Sequence, residues 1–199
     1  MIIEESFIRF RSLIRDNRSI RRFDPTVRVT PEMLRALIEL TRYCASGRNL
    51  QPLRYRMVCT PEECAALFPH LLWAGYYKDW GGPSEEERPT AYLVQCLDTR
   101  LASDCLCDDG LHLEAITLGA RTLGLGSCII KAFNVAEAAK ALHLPEHMKP
   151  RYVLALGAAA EQVNLTATDG TPDADIRYYR TPDGIHNVPK RPLEELIID

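Results

Sequence analysis

The chain has 199 residues, 46% of them hydrophobic and 26% charged, with a formal net charge of −3 at pH 7. That length suits one domain with a sizeable core, and the slightly acidic balance excludes a basic nucleic-acid scaffold. No apolar run approaches the roughly 20 residues of a membrane-spanning helix.

In chain order, residues 3–16 carry Ile3, Phe7, Phe10 and Ile14 on one stripe, which predicts an amphipathic helix. Thr30-Pro31-Glu32 predicts a second helix, with Thr30 as N-cap, Pro31 at the first position, and Leu34, Leu37, Ile38 and Thr41 on its buried face. Tyr55 to Thr60 alternates as a strand, and Thr60-Pro61-Glu62-Glu63 is a capping box for a third helix. A strand is expected over Tyr92–Leu97. A long helix then starts at Asp108 and Asp109, with Leu111, Ala115, Leu118 and Thr122 on one face, and closes at Gly124. Ser127 to Ile130 reads as a short strand, Asn134-x-x-Glu137 caps another helix, and Tyr152 to Leu156 is apolar enough for a central strand. From Asn164 to Pro192 the chain is polar, rich in Pro, Asp and Gly, and without helical periodicity; Leu193–Ile198 is apolar apart from two glutamates. Interleaved strands and helices imply an α+β or α/β sandwich. So long an irregular tail suits a segment that wraps a partner better than a compact monomer.

Two segments concentrate chemistry. Asn17-Arg18-Ser19-Ile20-Arg21-Arg22-Phe23-Asp24-Pro25 offers guanidinium groups and a hydroxyl, natural partners of a phosphate. Ser46-Gly47-Arg48-Asn49-Leu50-Gln51-Pro52 offers close backbone approach and carboxamides that can read a heterocycle edge. A charge run is more often solvated surface, and Gly47 alone is an ordinary helix stop; Gln51-Pro52 is not explained that way. Leu123-Gly124-Leu125-Gly126 contains Gly-x-Gly, but the order is helix, glycines, strand, the reverse of a dinucleotide fold. Cys105, Cys107, Asp108, Asp109 and His112 are metal-ligand types at a spacing that fits no zinc pattern. The seven cysteines (44, 59, 64, 96, 105, 107, 128) include no Cys-x-x-Cys. With an N-terminus that lacks the features of a secretory leader, they suggest reduced thiols and a cytoplasmic location.

The Arg18–Pro25 and Ser46–Pro52 segments, with Gly124–Lys131 and Val188–Leu196, resemble the FMN-dependent nitroreductase family over most of the chain. The resemblance implies an α+β, three-layer sandwich with a mainly antiparallel central sheet flanked by helices, in an intertwined homodimer. Residues 1–199 would form a single domain, with 164–199 wrapping the partner subunit. Arg18 and Ser19 would contact the FMN phosphate, Arg21 the flavin pyrimidine, and Ser46, Gly47, Asn49 and Gln51 the flavin from the facing loop. Cys128, Ile129, Ile130 and Lys131 would neighbour its reactive face, and Lys190 or Arg191 would complete the phosphate site. Trp73, Tyr76 and Tyr77 would form a substrate lid. The chain departs from many relatives at Asn17, where a second arginine is common, at Ala45, where proline is common, and at Lys131, where small residues are commoner. The implied activity is ping-pong transfer of hydride from NAD(P)H through flavin N5 to an electron-poor acceptor such as a nitroaromatic or quinone, with no catalytic side chain and no metal. The alternatives are a flavin-binding storage or sensing module without fast turnover, or a specialised family reaction such as reductive dehalogenation or flavin breakdown.

Overall fold

The computed structural model describes residues 4–171 and 173–198. Five strands pair in a sheet that is antiparallel throughout. Strand β5 (Met148–Ala159) lies at its middle, with β3 (Ala91–Asp98) on one edge and β4 (Leu125–Ile130) on the other, because Leu154 pairs with both Leu93 and Ile129. β2 (Leu53–Val58) extends the sheet past β3. The short β1 (Phe23–Asp24) continues the β3 edge, pairing with Ala159 and Ala158.

Alternation along the strands explains the layers. Tyr92, Val94, Cys96, Val153 and Ala155 pack on one face with Leu67 of α3 (Pro61–Leu67) and Ala138 of α5 (Val135–Ala141). Leu93, Leu154 and Leu156 pack on the other with Leu34 and Leu37 of α2 (Pro31–Leu40) and with Leu113, Ile116 and Ala120 of α4 (Asp108–Thr122). A sheet covered on both faces requires largely apolar strands, and every residue of β3 is buried, the polar Gln95 and Asp98 included. Three helices start where the sequence places their caps. Thr30 accepts from the Met33 N–H, Thr60 from that of Glu63, and Asn134 from that of Glu137. Each such cap stabilises its helix by about 1 kcal/mol.

The strand expected over 55–60 forms two residues earlier, and that expected over 127–130 begins at Leu125. Gly124 ends α4 with φ +75° and leads directly into β4, so helix, glycine and strand follow in the order expected. The face of α4 that carries Leu111 and Thr122 turns outward, while Asp108, Asp109, His112 and Thr117 are buried with the apolar residues. Apolar spacing could not show this, because the buried polar groups are satisfied by distant partners: Asp109 by Arg151 at 2.8 Å, and His112 by Tyr55 at 2.8 Å.

The tail is more regular than its composition suggests. β6 (Val163–Ala167), β7 (Tyr179–Arg180) and β8 (His186–Lys190) form a second sheet, in which β6 and β8 run parallel. At the other end, α1 (Glu5–Asp16) rests on α4 but buries none of its own residues; Phe7 and Phe10 are each 53% exposed. Ile3, expected on the same stripe, lies outside the described residues. No described helix is long and apolar enough to cross a membrane.

Candidate functional site

The polar segment after α1 runs along the outer edge of β4. The Ile20 N–H donates to the Ser127 carbonyl at 2.8 Å, and Ser19 bridges to Ser127. Gly126 makes this approach possible, since a Cβ there would come within 2.8 Å of Ile20. Asn17, Arg18, Ser19, Thr117, Ser127 and Ile129 surround a cavity of about 90 Å³ at the junction, with Glu114 at its wall. Arg18 also opens onto a cleft of about 490 Å³ bounded by α1, Arg121 and β6, which Arg15 lines as well. The Arg18 guanidinium donates to the Ile14 carbonyl at 2.8 Å, while its Nε is buried without a partner. An orphaned guanidinium N–H beside hydroxyl and amide donors is the arrangement an anion completes. At Asn17, the amide donates to Thr117 Oγ1 at 2.8 Å.

Arg21 goes elsewhere. Its guanidinium lies 4.8 Å from the centre of the Tyr178 ring and 3.1 Å from His186 Nε2. Glu161, its side chain only 2% exposed, accepts from the Arg21 backbone N–H and from Arg180 at 2.6 Å. Tyr77 meets the same cluster, with its hydroxyl 2.6 Å from His186 Nδ1. Burial, and then Arg21 and Arg180, push His186 down to about 4. Tyr76, Tyr77, Lys78, Asp79, Trp80 and Arg180 enclose an open cleft of about 480 Å³. Tyr76 and Tyr77 thus reach the surface at this cleft. Trp73 does not: it is buried in the core against Phe68 and beneath Gly82. Sequence reasoning missed Glu161, Tyr178, Arg180 and His186, because only the folded-back tail brings them to Tyr77.

The 46–51 loop is built around Asp108. Ser46 Oγ donates to Asp108 Oδ2 at 2.6 Å and the Gly47 N–H to Oδ1 at 2.9 Å, while Ser46 Oγ accepts from the Gln51 N–H at 2.9 Å. The Gln51 amide donates to Asn49 Oδ1 at 2.9 Å. Arg48, Asn49 and Gln51 all have positive φ, near +50°. A non-glycine residue there stores strain that these bonds must offset. Ser46, Asn49 and Gln51 line a separate cavity of about 150 Å³ with Cys44 and His112.

In β4, Cys128 and Ile130 are buried and Ile129 is 40% exposed. Burial pushes the Cys128 thiol up to about 11, so it stays protonated at neutral pH. Lys131 folds back over Tyr152, 4.2 Å from the ring centre, and donates to the Arg151 carbonyl. Lys190 pairs with Ala167, and Arg191 holds Thr171 and Glu195; neither lines the two cavities at Arg18. Within one chain, the expected site residues therefore form separate groups: Arg18 with Ser19 and Ile129, Arg21 with Tyr77, and the 46–51 loop by itself.

The model of the nitroreductase family matches residues 14–96 and 106–167. The chain belongs to the nitroreductase family. A nitroreductase family protein from Streptococcus pneumoniae TIGR4 superposes with a TM-score of 0.69 at 17% identity, over 96% of this chain and 99% of that one. An FMN-dependent nitroreductase from Clostridium difficile R20291 gives 0.62 at 19% identity, over 75% and 87%. An NADPH:FMN oxidoreductase from Vibrio harveyi, complexed with NAD+, gives 0.58 at 23% identity, over 75% and 68%. At such identities the superpositions establish the nitroreductase fold. None of the curated protein sequences matches the chain significantly. Family membership supports a general oxidoreductase role.

Proposed function

We propose that this protein is an FMN-dependent oxidoreductase that uses NAD(P)H to reduce an electron-poor acceptor such as a nitroaromatic or a quinone. The observation that carries the reading is the orphaned, buried Nε of Arg18 at a cavity lined by Ser19, Asn17 and Ser127, inside a nitroreductase fold. Those groups fit a phosphate: a fixed guanidinium supplies charge, and the hydroxyls and amide supply short donors. Past the Ser19–Ser127 bridge, the outer edge of β4 carries no further strand among the described residues, and the exposed Ile129 offers an apolar surface for a planar ring system.

When bound, FMN would supply hydride exchange at its N5. The chain's own work is then to bind, to orient and to keep water away. Arg18 and Ser19 hold the phosphate; β4 supports the ring; Tyr76 and Tyr77 close over the acceptor. Ser46, Gly47, Asn49 and Gln51 reach the flavin from the second subunit of a homodimer, which accounts for their distance from Arg18 within one chain. Lys190 and Arg191 of the tail are candidates for completing the phosphate site, and the protein works in the cytoplasm.

Replacing Arg18 and Ser19 together by alanine tests the reading. The expected outcome is loss of bound FMN from a variant that keeps its helix content and oligomeric state. FMN content equal to that of the unaltered protein would sink the phosphate assignment.

A further inference from the structure

Tyr77, His186 and Arg21 form a chain of hydrogen bonds whose direction chemistry fixes. A guanidinium has only donors, so Arg21 Nη1, at 3.1 Å, must donate to His186 Nε2, and that nitrogen must be bare. His186 is 1% exposed and lies between Arg21 and Arg180, surroundings that keep the ring neutral. A neutral imidazole with a bare Nε2 carries its proton on Nδ1. It then donates to the Tyr77 hydroxyl oxygen at 2.6 Å. The opposite arrangement, with Tyr77 donating, would require a ring without any proton.

The consequence falls on Tyr77. With its oxygen already accepting from His186, its own O–H is turned away from the ring and remains free to donate. Burial raises the Tyr77 hydroxyl above its ordinary value, so the proton is kept at neutral pH. Tyr77 is also a wall of the open cleft formed with Tyr76, Trp80 and Arg180. Trp80 stands edge-on to it at 6.0 Å and the Arg180 guanidinium lies 5.4 Å from the Tyr77 ring centre, so the cleft wall combines aromatic rings, a cation and a hydroxyl proton.

We propose that the Tyr77 hydroxyl is the hydrogen-bond donor to the oxygen of the electron acceptor, and that His186 is the positioning residue that keeps it aimed. The acceptor class that this selects is a planar ring bearing a carbonyl or nitro oxygen. A donor fixed before the acceptor binds strengthens the contact as negative charge grows on that oxygen, without reorganisation at the moment of transfer. The inference rests on the flavoenzyme reading.

Two measurements test it on FMN-loaded protein. In the first, histidine labelled with nitrogen-15 is observed by NMR at pH 7, with the His186 signal assigned by its loss in His186→Gln. The ring is expected to carry a single proton, on Nδ1; a proton on Nε2 overturns the proposal. In the second, reduced protein is mixed with 1,4-benzoquinone or with ferricyanide, an outer-sphere acceptor that needs no such donor. The ratio of the two reoxidation rates should fall about tenfold in Tyr77→Phe and in His186→Leu. It should recover in His186→Gln, whose amide retains one donor and one acceptor. A ratio unchanged in Tyr77→Phe overturns the proposal even if the tautomer is as expected. Protein that takes up no FMN would instead sink the flavoenzyme reading, and the acceptor role with it.

Discussion

At the residue scale, the most consequential group is one the sequence does not advertise. His186 lies in a polar tail and has no motif around it, yet it is among the most buried polar residues of the chain. It faces Tyr77 and Tyr178 together with the cations Arg21 and Arg180, whose charges Glu161 partly offsets. Its folded value of about 4 lies below the ordinary 6.5, so the unfolded chain binds more protons between those limits. Stability from the neutral ring is therefore complete above about pH 6.5 and is lost as pH falls toward 4. The full effect is on the order of 3 kcal/mol at most, from the difference between the two values. Thermal midpoints measured between pH 7 and pH 4.5 should fall further for the unaltered protein than for His186→Gln. Parallel curves would mean that the ring does not gain its proton on unfolding. Arg18 is the opposite case: the cluster of arginines around Ser19 is conspicuous in the sequence, and the Nε of Arg18 is buried without a partner.

At the scale of elements, the 46–51 loop shows how local strain depends on a distant anchor. Asp108 is 1% exposed and accepts from both Ser46 and Gly47. Asp108→Ala would leave those two donors unpaired, and should cost about 1–3 kcal/mol and free the positive-φ turn at Arg48. Faster cleavage by trypsin after Arg48, with the core strands still protected from hydrogen exchange, is the expected result. An unchanged cleavage rate would mean that the turn holds itself. The helices with caps and the fully buried strands were legible in the sequence, because hydroxyl caps and continuous apolar runs are local signals. The buried face of α4 was not, since Asp109, His112 and Thr117 are satisfied by partners far away in sequence. Trp73 and Tyr77 read alike as exposed aromatics; Gly82, packed against the indole ring, helps to make the first a core residue. The small sheet of the tail was hidden because its Pro and Asp residues conceal short strands, and because β6 pairs with a distant one, Val163 with His186.

At the scale of the whole molecule, one chain leaves many large apolar side chains exposed. Phe7, Ile8 and Phe10 on α1, Leu111 and Leu123 at the ends of α4, and Leu193, Leu196 and Ile197 near the C-terminus are all exposed. Where such side chains adjoin, as Phe7, Ile8 and Phe10 do along α1, they mark contact sites more often than free surface. The proposed homodimer would cover them and bring a second 46–51 loop toward the Arg18 cavity. Sedimentation should therefore give twice the 22.5 kDa chain mass, and Phe7→Glu with Phe10→Glu should yield monomers that lose FMN. A monomeric unaltered protein that still retains FMN would refute the shared site.

The central claim is that this fold carries a reducible flavin, and the absorbance spectrum of the purified protein tests it most directly when repeated without oxygen after addition of NADH or NADPH. The expected result is a yellow protein that bleaches with one or both nucleotides and recovers its colour when a quinone is added. A colourless protein that takes up no added FMN, or a yellow one that neither nucleotide reduces, would contradict it.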